Sequence, residues 1–185
     1  MALLKNEELL MSGEELFRRP DLGPCELVDG RVVPLTPTGH GHGFVESNFA
    51  GELRAWARST GSGRVLTGEV GIYIRRNPDT VRAADVLYIS NERYAKRGAS
   101  GYLDVAPELV VEVLSPDDRW SDVTEKLEDY FSAGVDRVWV VDAKLRQIFA
   151  YRSLTEVRQF QEGEDLADEI LLPGFRLPVS DLFDL

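Results

Sequence analysis

Hydrophobic and polar positions along the chain alternate with two periods, and the switches between them mark its elements. In "HGFVESNFAGELRAWARST", Phe44, Val45, Phe49, Leu53, Trp56 and Ala57 recur at helical spacing and predict a long helix. In "SDVTEKLEDYFSAG", Val123, Leu127, Tyr130 and Phe131 form the apolar stripe of a second helix, which Gly134 ends. "SGEELFRRPD" predicts a short helix, with Ser12 as N-cap and Glu15 completing a capping box. Elsewhere the period is two, or the apolar run is unbroken. "CELVDGRVVPLTP" places two apolar runs around Asp29-Gly30, a strong hairpin signal. "GRVLTGEVGIYIRR" alternates from Val70 on, and "RAADVLYIS", Leu109–Leu114 and "RVWVVD" read as further strands. "QIFAYR" predicts an antiparallel edge strand, and "SNERYAKRGASGYLDVAP" a helical turn followed by a long loop. The proline-broken, apolar tail "EILLPGFRLPVSDLF" is expected to pack over the sheet.

A strand, a helix and a strand at the spacing of 109–142 imply a right-handed crossover between parallel strands. The order of elements predicts an α/β fold: a mixed central β-sheet flanked by helices, with an N-terminal β-hairpin. No repeat or linker divides the chain, so residues 1–185 read as one domain, with 1–22 as a helical N-terminal extension. The 185 residues can bury a sizeable core, and 43% hydrophobic with 29% charged is ordinary for a globular protein. No apolar stretch is long enough to span a membrane, and the charged start lacks a signal-peptide core, so a cytoplasmic location without membrane contact is expected. The single cysteine, Cys25, excludes an internal disulfide and a cysteine-rich zinc site. A net charge of −11 weighs against nucleic-acid binding over the whole surface and leaves room only for a local basic patch.

Candidate chemistry begins with Glu112, a lone carboxylate inside "PELVVEVLSPDD". A buried carboxylate must pair, take up a proton or bind a metal; an ion pair or a solvent-facing edge position is the plainer alternative. Asp85 opens another apolar run, and two carboxylates at the ends of neighbouring strands make a hard-oxygen site suited to Mg²⁺ or Mn²⁺. Lys126 lies beside the apolar stripe of its helix, near the end of the Glu112 strand, and its stem can reach inward; a surface pairing with Asp122 or Asp129 is the alternative. His40 and His42 are the only histidines, with no further zinc ligands in a standard pattern; His42, at the start of the long helix, either faces the site or caps the helix at the surface. Glu26 is either a further site carboxylate or a solvated strand position. Phosphate-loop, dinucleotide-binding and serine-hydrolase motifs are absent.

The order "ELVDGRVVPLTP", "HGFV", "RAADVLYIS", "PELVVEVLSPDD", "DVTEKLEDYFSAGVDRVWVVD" and "LLPGFRL" resembles the Uma-type endonuclease family of the restriction-endonuclease-like, PD-(D/E)XK superfamily. The resemblance runs from about Glu26 to Phe183. It implies that Asp85 and Glu112 are the two acids of that motif. Leu114 stands where the motif has lysine, and the resemblance moves that role to Lys126; Ala84 stands in place of the motif's proline. Glu26 and His42 match further polar positions. The implied activity is Mg²⁺- or Mn²⁺-dependent hydrolysis of DNA phosphodiesters, with Asp85, Glu112 and the Val113 carbonyl as ligands and Lys126 orienting water or phosphate.

Two alternatives stand beside an endonuclease: a non-catalytic nucleic-acid-binding or assembly module on the same fold, and a phosphohydrolase of small nucleotides. Arg75, Arg76, Arg82, Arg93, Lys96 and Arg97 flank Asp85 in sequence and are expected to rim the cleft as phosphate contacts, against the reading of ordinary solvated charge. Apolar residues in the tail and edge strands make a homodimer plausible.

Overall fold

The computed structural model describes residues 10–99, 101–116 and 118–184. Ser12 begins α1 (Gly13–Phe17): its hydroxyl accepts the Glu15 N–H, and the Glu15 carboxylate accepts the Ser12 N–H at 2.8 Å, closing the capping box. The predicted hairpin is β1 (Cys25–Val28) and β2 (Arg31–Pro34). Its turn puts Asp29 and Gly30 at φ 50° and 76°, the left-handed pair that a two-residue hairpin turn needs. The long helix is α2 (His40–Thr60). A second hairpin follows, β3 (Gly63–Arg75) and β4 (Thr80–Ser90). Its register slips between Thr67 and Val70, where Gly68 and Glu69 both take positive φ. That bulge is the reason the alternation in β3 becomes regular only from Val70.

After α3 (Asn91–Ala95) and a loop, β5 (Leu109–Val113), α4 (Trp120–Ala133) and β6 (Arg137–Asp142) form the predicted crossover, with β5 and β6 parallel. Gly134 caps α4 in the left-handed conformation, and its N–H returns to Phe131 O. β7 (Gln147–Tyr151) pairs antiparallel with β6, but it is not the edge. β8 (Val157–Gln161) lies outside it. Only Phe160 of β8 is buried, so the polar "VRQFQ" carries no periodic apolar signal. The eight strands make one mixed sheet in the order β2-β1-β4-β5-β6-β7-β8, with β3 also on β4.

Side chains of alternate strand residues feed two cores. Leu109, Val111 and Val113 of β5 pack with Val45, Phe49 and Leu53 of α2. The C-terminal tail closes that layer with Leu172, Phe175, Val179 and Leu182, as its apolar character predicts; β9 (Asp165–Leu166) and β10 (Leu177–Pro178) pair within it. Val110 and Val138 pack on the opposite face with Val123, Leu127 and Tyr130 of α4. Among the described residues no helix is long and apolar enough to cross a membrane.

Candidate metal centre and acidic cleft

β4 is buried along nearly its whole length and has more neighbours than a strand has edges. β3 lines one edge throughout. β1 and β5 share the other: Leu27 of β1 stands opposite Val81, and Val111 of β5 opposite Val86. Between them the ladder is interrupted, yet the buried backbone N–H groups still need acceptors. Carboxylates fill the gap. Glu26 Oε1 accepts the Ala83 N–H at 3.0 Å, and Asp85 Oδ2 accepts the Val113 N–H at 2.7 Å. Glu26 is 3% exposed, so the solvated alternative for it falls.

On the α4 face Glu112 meets both partners its burial demands. Its Oε2 accepts from Lys126 Nζ at 3.0 Å and its Oε1 from the Tyr130 hydroxyl at 2.5 Å. Lys126 also lies 3.4 Å from Glu26 Oε1, so the helix lysine takes the position between the two strand acids. Burial pushes the Glu112 carboxyl up to about 7, against the pull of Lys126. Burial draws Lys126 down, but Glu112 and Glu26 outweigh it and hold the ammonium above its ordinary value. Lys126 is therefore a fixed positive charge in this setting. Glu112, Val113, Asp118, Asp122, Lys126 and Tyr130 help line a cavity of about 50 Å³ here.

Behind Glu26 lies Arg82, 5% exposed. It donates to Glu26 Oε2 at 2.9 Å and to Asp129 Oδ2 at 2.7 Å, and it also bonds Glu125. This corrects the expectation that Arg82 rims the cleft: it is buried structure beneath it. The other basic residues flanking Asp85 do not form a free patch either. Arg75 pairs with Asp29 and Asp129, Arg76 with Glu14, Arg93 with Asp136 and Glu108, and Lys96 with Glu92. Arg97 stacks on Tyr94, 3.6 Å from the ring centroid. An acid-rich surface supplies each of these four paired cations with a carboxylate.

His42 enters from the opposite face, on the first turn of α2, with its side chain 7% exposed. Its Nε2 is 3.3 Å from Asp85 Oδ2 and its Nδ1 is 3.9 Å from Glu46 Oε2. Nδ1 is buried and, among the described residues, has no hydrogen-bond partner. The bond to Asp85 raises the imidazole's pKa against burial, and burial together with Asp85 and Glu69 raises that of Glu46. One ligand atom from each of His42, Glu46 and Asp85 lies within 4.8 Å of the other two. Two carboxylates crowded together, with Glu46 held above its ordinary pKa, and a buried imidazole nitrogen without a hydrogen-bond partner fit a divalent cation.

Asp85, Glu112, Lys126, Glu26 and His42 thus converge around the interrupted edge of β4 and the end of β5. Sequence reading passed over three neighbours. Glu46 stands four residues after His42 on the same helix face, a spacing that could have revealed it. Tyr130 was visible only as a stripe residue, although it follows Lys126 by the same interval. Asp129, by its spacing a candidate surface partner for Lys126, instead holds Arg82.

The sequence model of the Uma2 family, described as "Putative restriction endonuclease", matches residues 14–180. A solved structure from Anabaena variabilis, described as a "putative nuclease belonging to DUF820", superposes with a TM-score of 0.75 at 19% identity, covering 94% of this chain and 97% of that one. At that identity the likeness speaks for the fold. No curated protein matches the chain.

Proposed function

The chain belongs to the Uma2 family of restriction-endonuclease-like proteins, and from that premise we propose that it is a divalent-metal-dependent DNA endonuclease centred on Asp85. The observation that carries this reading is the convergence of His42 and Glu46 from α2 with Lys126 from α4 and Glu112 from β5 around Asp85. Asp85, Glu46 and His42 would hold the ion, with Glu112 and the Val113 carbonyl as further donors at the same strand end. When bound, the metal supplies an acidified water and charge stabilisation at the phosphate. Mg²⁺ suits the carboxylates, while the imidazole shifts preference toward Mn²⁺.

The remaining roles belong to the protein. Lys126 cannot serve as a base while its neighbours keep it protonated, so it orients the attacking water or a phosphate oxygen by charge. Tyr130 fixes one oxygen of Glu112 and leaves the other toward Lys126. Glu26 and Arg82 hold Lys126 and the β4 backbone from below.

Nicking of supercoiled plasmid in Mg²⁺ or Mn²⁺ tests the proposal. Wild-type protein converts plasmid to open circles, and Glu112→Gln and Lys126→Ala each lower the rate at least about 100-fold, within the range typical of lost electrostatic and acid–base groups. Equal background from all three proteins would end it. The engagement of both Glu112 oxygens and the shortage of free cations favour a second reading, a metal-binding module without turnover. Metal binding with no cleavage of any DNA or RNA would select it.

A further inference from the structure

An open groove runs along α2 from the Asp85 cluster. Gly43, Glu46, Ser47, Ala50, Gly51 and Arg54 line it together with Thr67 of β3, around about 390 Å³. The helix residues recur at three- and four-residue intervals and so share one face. A Cβ added at Gly43 or Gly51 would meet nothing within 4 Å, which leaves the floor open to a bulky occupant. Glu46 belongs both to this groove and to the metal-ligand cluster. The partnerless, buried Nδ1 of His42 faces it at 3.9 Å. Further along, Arg54 is exposed and, among the described residues, has no hydrogen-bond or ion-pair partner. That sets it apart from Arg75, Arg76, Arg82, Arg93 and Lys96, which are all tied to carboxylates.

Resting on the metal-dependent nuclease reading, we infer that this groove seats the sugar–phosphate backbone of the DNA strand leading away from the cleavage point, with Arg54 as its phosphate-positioning residue. Eight residues of helix separate Glu46 from Arg54, about 12 Å at roughly 1.5 Å per residue. That length is about three to four nucleotides at roughly 3.4 Å of rise each. A floor of glycine and alanine admits a backbone closely, and the Ser47 and Thr67 hydroxyls and the Arg54 guanidinium are groups that bond phosphate oxygens without reading bases. The inner end carries Glu46, which repels phosphate until a cation stands beside it. Occupation of the groove is therefore coupled to the divalent ion.

Fluorescence anisotropy of the full chain with a short fluorescein-labelled DNA duplex, in Ca²⁺ and in EDTA, tests this. Wild-type protein binds in Ca²⁺ and loses affinity in EDTA. Arg54→Ala weakens binding in Ca²⁺ about 10-fold and lowers the slope of log affinity against log salt by about one. In Mn²⁺ it raises KM with kcat kept, and its Mn²⁺ affinity equals that of wild type. Arg54→Lys restores part of the binding. Gly51→Leu, a good helix former that fills the groove, weakens binding as Arg54→Ala does. Lys144→Ala, at an exposed cation elsewhere, changes nothing. If wild type binds and Arg54→Ala matches its affinity and salt slope, the groove assignment falls alone. Equal wild-type binding in EDTA and Ca²⁺ overturns it as well. Wild type binding no duplex in Ca²⁺ or Mn²⁺ overturns both this inference and the nuclease reading.

Discussion

Glu112 exchanges water for Lys126 and Tyr130, and the exchange is incomplete enough to leave its carboxyl near 7. The folded state therefore holds the Glu112 proton more tightly than the unfolded chain does, whose ordinary value is 4.5. Its contribution to stability is whole below about pH 4.5 and is lost as pH rises through about 7, on the order of 2–3 kcal/mol. Glu112→Gln removes that dependence. Urea unfolding of the metal-free proteins at pH 5 and pH 8 should find the variant gaining on wild type by that amount across the interval; a gap that stays flat would refute it. That Glu112 needed a partner was legible from a charge in an apolar run. That two groups share it was not, because Tyr130 also satisfies the helix stripe and its hydroxyl leaves no mark on periodicity.

At the level of elements, the cleft exists because β1 and β5 divide one edge of β4, and side chains complete the ladder between them. Arg82 neutralises the acids gathered at that break. Arg82→Ala leaves Glu26 and Asp129 charged and buried, a loss of about 3–5 kcal/mol by the usual cost of breaking a buried pair. Thermal unfolding measures it, and adding Glu26→Gln should recover part of the loss; an unchanged Tm for Arg82→Ala would contradict this. Both long helices, the first hairpin and the parallel crossover were legible, since each buries a periodic face or carries a turn signal; β3 and β4 were legible as strands but not as a hairpin. The break in the sheet was not legible, because neither a turn nor a crossover signal marks how β1 and β5 share one edge of β4. For the same reason Arg82, three residues from Asp85, read as rim and proved to be foundation.

Across the whole molecule, two layers bring chemistry to one strand end: α2 delivers His42 and Glu46, α4 delivers Lys126 and Tyr130, and Asp85 lies between them. The net charge of −11 makes sense in that arrangement if cations, rather than a basic surface, draw phosphate to the cleft. On the proposed reading, the acids that repel a nucleic acid in the bare protein would become ligands once a divalent ion is present. Anomalous diffraction from crystals soaked in Mn²⁺ tests this centre most directly. The account predicts a peak within bonding distance of Asp85, Glu46 and His42, with the Lys126 ammonium facing the same cleft, and its loss in Asp85→Asn. Crystals at saturating Mn²⁺ without a peak at Asp85, or with the ion bound only at surface carboxylates, would contradict it.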